Sequence, residues 1–462
     1  MTPPPDERVY PSLDRLARVE EGDSNDTPAR AAFRASHLGP DAQAMLDRDE
    51  AAFVHQSLST PCLNVLTGCD GNHLIDLEGR RILDLHGNGV HVLGFAHPAV
   101  VQAVARQLAR LPFCTRRYTN LPATELAERL TGLMPDVPGG WRVLLAPAGC
   151  LAVGTALKAA RRITGRYKCV GFWGAFHGAS LETISVGGER LFRDGMGPLL
   201  PGALHAHPWT RDRSVADAVD ELDRLFRVEG EIGALLAEPV RWSTVTRPPD
   251  DYWQAVRALC DRHNAWLIFD EIGTGVGRTG RFCAFEHMPG VVPDAVVLGK
   301  ALGGGVYPLA ATLIQARHVT PRMTRDTALG HYTHEKSPLG AAAALATLET
   351  ISSQRLMERA AVLGEWVVRR LRERLAERPE VLDVRGMGLL MAVELSDAGH
   401  AEAVMYRCLR RGLSFKVSAG RVLTLVAPLT LSDAEATFVV DTLVTTISEG
   451  RGATAGPCTS TR

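Results

Sequence analysis

The sequence predicts an α/β protein whose largest domain holds a mostly parallel, buried sheet. Short apolar runs alternate with stretches of helical spacing through the middle of the chain, which is the pattern of strand–helix–strand units. The apolar runs are continuous, as is typical of strands buried on both faces. These runs lie at residues 143–146, 169–172, 234–237, 266–269, 295–298 and 310–314, and the helical stretches among them at 155–163, 216–227 and 252–263.

The flanking segments predict the remaining elements. Before the large sheet we expect a helix at 41–52, a hairpin of 74–77 with 82–85, and helices at 100–111 and 124–133. After it we expect helix from 338 to 376, a turn at 385–388, strands at 389–395 and 422–426, and helices at 401–411 and 433–448. The chain then divides into an N-terminal segment packing on the small domain (1–71), a large cofactor-binding domain (72–330), a smaller α+β domain (331–449) and a disordered tail (450–462).

Composition narrows the class of function. The 52 acidic and 51 basic residues nearly cancel, so the charge indicates neither a nucleic-acid nor a membrane-surface partner. The N-terminus lacks a signal-peptide pattern and no apolar run is long enough to cross a bilayer. The nine cysteines are scattered without a close pair. This spacing favours free thiols in the cytoplasm and predicts no metal site.

An acid and a lysine follow two of the apolar runs. Asp270 ends the run 265–269, and Lys300 follows the run 296–298 just ahead of a glycine cluster. Because ligands bind at the carboxyl ends of parallel strands, both side chains are expected at one sheet edge. Pyridoxal phosphate (PLP) needs such a pair: a lysine for the Schiff base and a carboxylate that keeps the pyridine nitrogen protonated. Taken singly, Asp270 could be a loop acid and Lys300 a surface lysine.

Two further segments could complete a PLP site. The turn with Gly149 and Cys150 follows a strand and opens a helix, where backbone N–H groups suit a phosphate. Phe176 follows the next strand and could stack on a flat ring. An ordinary strand–helix loop and a core aromatic are the structural alternatives.

From about Asn72 to the final helix, the chain resembles the class III (ω-type) aminotransferases, PLP enzymes of fold type I. The similarity is carried by segments 76–80, 94–98, 176–178, 238–240, 270–280, 298–300 and 385–389. The resemblance implies that Lys300 forms the Schiff base and moves protons on the substrate carbon, while Asp270 pairs with the pyridine nitrogen.

The same resemblance implies the rest of the cofactor site. Gly149 and Cys150 would hold the phosphate, Phe176 would stack on the ring, and His177 and Glu238 would lie beside it. Thr333 would reach the phosphate of the neighbouring subunit, which implies an obligate homodimer with shared active sites.

Three positions depart from the family pattern. The phosphate turn reads Ala148-Gly149-Cys150, so side-chain hydroxyls are lost while backbone donors remain. Gly273 stands where the family often has glutamine. Thr424 stands where many amino-acid aminotransferases have an arginine that binds a substrate carboxylate, and threonine cannot replace that planar contact. The loss suggests an enzyme that needs no amino-acid co-substrate.

One subgroup of the class fits these departures. Segments 113–120, 330–338 and 412–418 resemble those of (R)-1-hydroxy-2-aminoethylphosphonate ammonia-lyases, which implies release of phosphonoacetaldehyde and ammonia from a small phosphonate amine. Arg116, Arg117 and Arg241 are candidates for binding the phosphonate, and His91 could assist departure of the hydroxyl group. Surface, interface or packing roles are the alternatives for these residues.

Two other functions stay open from the sequence. The first is an ω-aminotransferase that passes the amino group to a keto acid. The second is a non-catalytic binding protein on the same fold, because a fold alone does not establish a function.

Overall fold

A computed structural model of the chain describes residues 27–56, 62–325 and 327–450. Within these ranges the strands are β1 Leu66–Asp70, β2 His73–Asp76, β3 Arg81–Asp84, β4 Trp141–Ala146, β5 Lys168–Phe172, β6 Ala203–Ala206, β7 Ile232–Ala237, β8 Trp266–Asp270, β9 Ala295–Leu298, β10 Ala310–Gln315, β11 Val381–Met387, β12 Leu390–Leu395, β13 Leu413–Ser414, β14 Lys416–Ser418 and β15 Val422–Val426.

The α-helices in the same ranges lie between and around these strands. They are α1 Pro28–His37, α2 Pro40–Ala52, α3 Pro98–Arg110, α4 Leu121–Gly132, α5 Gly149–Thr164, α6 Leu181–Val186, α7 Arg190–Arg193, α8 Val215–Glu229, α9 Asp250–Arg262, α10 Pro321–Thr324, α11 Pro338–Ser353, α12 Leu356–Leu375, α13 Ala398–Arg410 and α14 Asp433–Ser448.

The largest sheet has the strand order β4-β10-β9-β8-β7-β5-β6. Strands β9, β8, β7, β5 and β6 are parallel neighbours, and β10 runs antiparallel to both β4 and β9. Strands β7 to β10 are buried along their whole length, as strands covered by helices on both faces must be. The prediction of an α/β protein with a mostly parallel sheet is therefore confirmed.

Parallel pairing brings the ends of the central strands to one edge of this sheet. In the register of β8 and β9, Asp270 lies beside Val297. Lys300 follows three residues later in a short 3₁₀ turn, Lys300–Gly303. Helix α5 starts at the end of β4, so its N-terminus belongs to the neighbouring region of the same domain.

The C-terminal elements form a second, antiparallel sheet of order β11-β12-β15-β14. A third sheet joins β1, β2 and β3 to β13, which pairs with β3 in parallel. Helix α1 contacts α13 through Phe33 and Tyr406, whose ring centres are 5.2 Å apart. The N-terminal segment thus packs on C-terminal elements where the structure describes it, while the exact domain bounds stay a prediction.

Some elements differ from the sequence expectations. The helix expected over 338–376 is two helices, α11 and α12, separated at Arg355, whose φ is +53°. Strand β11 includes the first three residues of the turn expected at 385–388, because pairing with β12 extends it to Met387. Strand β6 had no sequence prediction; its four residues, Ala-Leu-His-Ala, pair only with β5 at the sheet edge.

Residues 1–26 and 451–462, which include most of the predicted disordered tail, lie outside the described residues. In the ranges that the structure describes, no helix is both long and apolar enough to span a membrane.

Candidate active site

Asp270 is held at the end of β8 by two hydrogen-bond donors. Its side chain is 5% exposed. One carboxylate oxygen lies 2.8 Å from His177 Nδ1, and the other accepts a hydrogen bond from the backbone N–H of Ile272 at 3.0 Å. Because each carboxylate oxygen has two lone pairs, the oriented carboxylate can still accept a further proton donor. The structure therefore brings together Asp270 and His177, which are 93 positions apart in sequence.

Lys300 stands in a strained backbone conformation beside an indole ring. Its φ is +40°, in the left-handed region that non-glycine residues rarely adopt. Such strain occurs where the surrounding structure fixes a functional residue. Its Nζ lies 3.8 Å from the centre of the Trp242 ring. Gly89 leaves room for this side chain, since an added Cβ there would lie 3.3 Å from Lys300 Cδ.

Trp242 forms a wall of the site that the sequence reasoning missed. It is 4% exposed, and its backbone N–H donates to Glu238 Oε1 at 3.0 Å. An added Cβ at Gly273 would lie only 2.4 Å from Trp242 Cδ1. The indole thus occupies the space that a side chain at position 273 would need. Gly273 was the signal in the sequence that could have revealed this wall. Where the usual glutamine side chain is missing from a packed site, another side chain must fill its space.

The N-terminus of α5 meets two other segments of the site. The residue that caps the helix is Ala148, which has no side-chain oxygen to bond the first N–H groups. An added Cβ at Gly149 would lie 2.9 Å from Ile272 Cδ1, and one at Gly178 would lie 2.6 Å from Cys150 Cβ. The turn, the segment after β5 and the segment after β8 therefore converge. Helix N–H groups without a side-chain cap form a phosphate-binding arrangement.

Burial shifts the protonation of two groups near this centre. It raises the pKa of Glu238 to about 7, although the charges of His177 and Arg241 oppose the rise. Burial also lowers the pKa of His86 to about 3, and the charges of Lys416 and Lys300 lower it further. The His86 imidazole is therefore neutral near neutral pH, and positive charge predominates on its side of the site.

Phe176 and His91 are packed against other rings. Phe176 is half-buried, with its ring centre 4.6 Å from that of Phe192. His91 is fully buried, and its Nε2 lies 3.0 Å from the Asp84 carbonyl oxygen. Burial, aided by the charge of Arg278, lowers the pKa of His91 to about 3. These contacts favour the alternative in which His91 is a packed histidine.

For the remaining predicted residues, the single chain shows no contact with Lys300 or Asp270 among the described hydrogen bonds and ring contacts. Arg116 and Arg117 are exposed in the loop between α3 and α4, and Thr333 is exposed ahead of α11. Arg241 donates from its guanidinium to the Trp173 carbonyl oxygen at 2.9 Å. The roles of these four residues stay predictions.

The residues that converge fit PLP. The uncapped start of α5 offers backbone donors for a phosphate, and the oriented Asp270 carboxylate suits a protonated ring nitrogen. Among the residues that the structure describes, the buried Trp242 indole N–H and His177 Nε2 have no hydrogen-bond partner. Buried polar atoms of this kind are expected where a polar ligand binds.

Comparison with known proteins agrees with this geometry. The family described as Aminotransferase class-III matches residues 55–447. The chain is 43% identical over 446 residues to the (R)-1-hydroxy-2-aminoethylphosphonate ammonia-lyase of Vibrio splendidus (strain 12B01), covering 89% of this chain and 91% of that protein. It is 36% identical over 383 residues to the 5-aminovalerate aminotransferase DavT of Pseudomonas putida, covering 78% and 88%.

Solved structures show the same fold. A Bacillus anthracis aminotransferase superposes with a TM-score of 0.82 at 27% identity, covering 88% of this chain and 98% of that one. An amine transaminase from an uncultivated Pseudomonas species, in its PLP-bound form, gives 0.78 at 30% identity, covering 86% and 98%. The chain therefore belongs to the class III aminotransferase family of PLP-dependent enzymes, with fold type I architecture.

Proposed function

We propose that this enzyme is an ammonia-lyase that converts (R)-1-hydroxy-2-aminoethylphosphonate into phosphonoacetaldehyde and ammonia. The observation that carries the proposal is the environment of Thr424. This residue is fully buried, and its hydroxyl group donates to the Ser243 carbonyl oxygen at 2.5 Å and contacts Ser418 Oγ at 3.0 Å. A satisfied threonine offers no grip for the carboxylate of an amino-acid co-substrate, which a lyase does not need.

The chain's own residues supply the proton transfers. When bound, PLP withdraws electrons from the amine-bearing carbon of the substrate. The Lys300 amine takes the proton from that carbon, and Asp270 keeps the ring nitrogen protonated. The neighbouring C–O bond then breaks, and the hydroxyl group takes up the proton that Lys300 removed and leaves as water. The released enamine becomes an imine, and one water molecule hydrolyses it to the aldehyde and ammonia.

The similarity to the Vibrio splendidus lyase over most of both chains supports the same reaction. The similarity to DavT and to solved transaminases favours a second candidate, an ω-aminotransferase that uses a keto acid acceptor. A non-catalytic binding role is disfavoured, because such a protein has no need of both Lys300 and Asp270.

An assay without an amino acceptor separates these candidates. Purified holoenzyme is given the aminophosphonate and no keto acid, and aldehyde and ammonia are measured. The lyase releases both in equal amounts over many turnovers. Aldehyde formation that requires added pyruvate would instead support the aminotransferase.

The matched controls for this assay are two lysine variants. Lys300→Ala is expected to abolish turnover and the visible absorbance band that survives dialysis. Lys168→Ala retains both, because Lys168 pairs with Glu229 at the start of β5. A colourless wild-type protein in the presence of added PLP would support the non-catalytic role.

A further inference from the structure

Lys416 is a buried cation beside the catalytic lysine. It begins β14 and is 5% exposed. Its Nζ lies 5.3 Å from the centre of the Trp242 ring, and Lys300 Nζ lies 3.8 Å from the same centre. Both amino groups therefore lie against the same indole ring.

The strand register places Lys416 on the face where an arginine was expected. In the antiparallel pairing of β14 with β15, Lys416 lies directly opposite Thr424. Directly opposed residues project from the same face of a sheet, with Cβ atoms roughly 5 Å apart. A positive charge thus reaches this region from the neighbouring strand, while Thr424 itself bonds to Ser243 and Ser418.

The surrounding groups make this corner of the site electropositive. Burial lowers the pKa of His86, and the charges of Lys416 and Lys300 lower it further, so the imidazole is neutral near neutral pH. The acidic side chain on the adjoining strand, Glu394, is engaged by Arg385 at 2.7 Å and by Arg421 at 2.9 Å. A small ligand that extends from Lys300 towards Lys416 would therefore be favoured if it carried an anionic group.

We infer that Lys416 binds the phosphonate group of the substrate while its amine end is held at Lys300. This inference rests on the proposed function. A lysine is a compact charge with three donors, which suits the tetrahedral, doubly charged phosphonate, whereas a planar carboxylate favours arginine. Lys416 then acts as a binding residue that selects short amines with a phosphonate two carbons away.

The test compares two amines on the holoenzyme. The ligand 2-aminoethylphosphonate carries the phosphonate but no hydroxyl group to expel, and n-propylamine carries no charge at that end. Their dissociation constants are measured from the change in cofactor absorbance. Lys416→Met is expected to weaken 2-aminoethylphosphonate binding by about tenfold or more, the usual effect of losing a hydrogen bond to a charged group. Propylamine binding is expected to change by less than about twofold.

Three variants accompany this measurement. Lys416→Gln supplies a second neutral side chain that can hydrogen-bond if the methionine variant does not fold, and it is expected to show the same selective loss. Lys416→Arg keeps the charge and is expected to recover part of the affinity. Lys168→Met removes a lysine that pairs with Glu229 and is expected to bind both amines as the wild type does.

The outcomes separate this inference from the proposed reaction. If both neutral variants keep the wild-type preference for the phosphonate, the proposed role of Lys416 is wrong, but the lyase reaction is unaffected. The same holds if the variants lose equal affinity for both amines. If the wild-type enzyme prefers the phosphonate but releases no aldehyde without an acceptor, the lyase reaction is wrong, and the binding role of Lys416 is not contradicted. A wild-type enzyme without any preference overturns both.

Discussion

At the scale of single residues, the site depends on one tryptophan and the glycine beside it. Trp242 contacts both Lys300 and Lys416, and Gly273 leaves the space that its indole fills. The two residues explain each other, because Gly273 has no side chain and the Trp242 indole fills the space that a side chain there would occupy. Together they explain why glycine stands at position 273, where the family often has glutamine. The sequence showed this departure but not its cause.

The first prediction concerns this pair. Gly273→Gln forces a side chain into the space of the Trp242 ring, where even a Cβ would lie 2.4 Å away. Overpacking of this kind costs about 1–3 kcal/mol, so we expect a lower melting temperature and weaker retention of PLP on dialysis. The double variant Gly273→Gln with Trp242→Gly is expected to recover stability, and a fully stable single variant would contradict the packing described.

The second prediction is a dependence of stability on pH from His91. Its pKa is lowered from the ordinary value near 6.5 to about 3, so the unfolded chain binds a proton that the folded chain does not. Stability present above pH 6.5 is therefore lost as the pH falls towards 3, by up to about 1.4 kcal/mol per pH unit. The decline should appear in the difference between the unfolding free energies of the wild type and His91→Asn, measured in urea at pH 7, 6 and 5.

His91→Asn is the control for that decline. Burial raises the pKa of the neighbouring Asp84 to about 6, and this shift acts in the opposite direction over part of the same range. Because both proteins retain Asp84, the difference between their slopes isolates the histidine. Parallel slopes would mean that His91 is not held neutral in the folded state.

At the scale of elements, the sequence predicted those helices and strands whose positions are determined by neighbouring residues in the chain. Helix α14 was expected at 433–448 and spans Asp433–Ser448, because Ser432 and Glu435 form a capping box at its start. Central strands such as β9 were predicted because continuous burial makes them continuously apolar. The short edge strand β6 depends on its pairing with β5, more than 30 residues earlier in the chain, so local patterns did not reveal it.

The site residues likewise fall into those that local sequence could identify and those that it could not. Asp270 and Lys300 could be selected because each ends a strand, and parallel strands share an edge. Trp242 and Lys416 could not, because their proximity depends on the docking of the C-terminal sheet against the large domain. A lysine in a three-residue strand has no local signal that distinguishes a ligand-binding residue from a surface residue.

A third prediction tests how closely helix α12 docks on the hairpin of β11 and β12. An added Cβ at Gly364 would lie 1.8 Å from the Gly388 carbonyl oxygen, a backbone atom that cannot turn away. Gly364→Ala is therefore expected to destabilise the protein by about 1–3 kcal/mol or to prevent folding, despite the better helix propensity of alanine. The change is measured as the free energy of unfolding in urea.

Gly132→Ala is the matched control for the docking prediction. Gly132 ends helix α4, and no heavy atom lies within 4 Å of its added Cβ. The same substitution is expected to stabilise the protein there by up to about 1 kcal/mol, because only helix propensity changes. Equal effects at both glycines would show that backbone approach does not decide the result.

At the scale of the whole molecule, the single chain brings some of the predicted residues together and leaves several others at its surface. Arg116, Arg117 and Thr333 are exposed in the single chain, and Thr333 was expected to serve the neighbouring subunit. Exposed residues of this kind are accounted for if two chains associate around a twofold axis and each completes the other's site. Sedimentation of the holoenzyme as a dimer is a necessary condition for this arrangement.

The last prediction tests the sharing of sites directly. Lys300→Ala removes the amine that we propose to be catalytic from its own chain, and Thr333→Glu places a negative charge where the partner's phosphate is expected. Each variant alone is expected to form inactive dimers. If Thr333 serves the opposite subunit, a mixed dimer has one site with both defects and one with neither. Random reassociation of equal amounts then restores about a quarter of wild-type turnover, because half of the dimers are mixed and each has one intact site. If Thr333 serves its own chain, every site in the mixture carries a defect and turnover stays at the level of the separate variants.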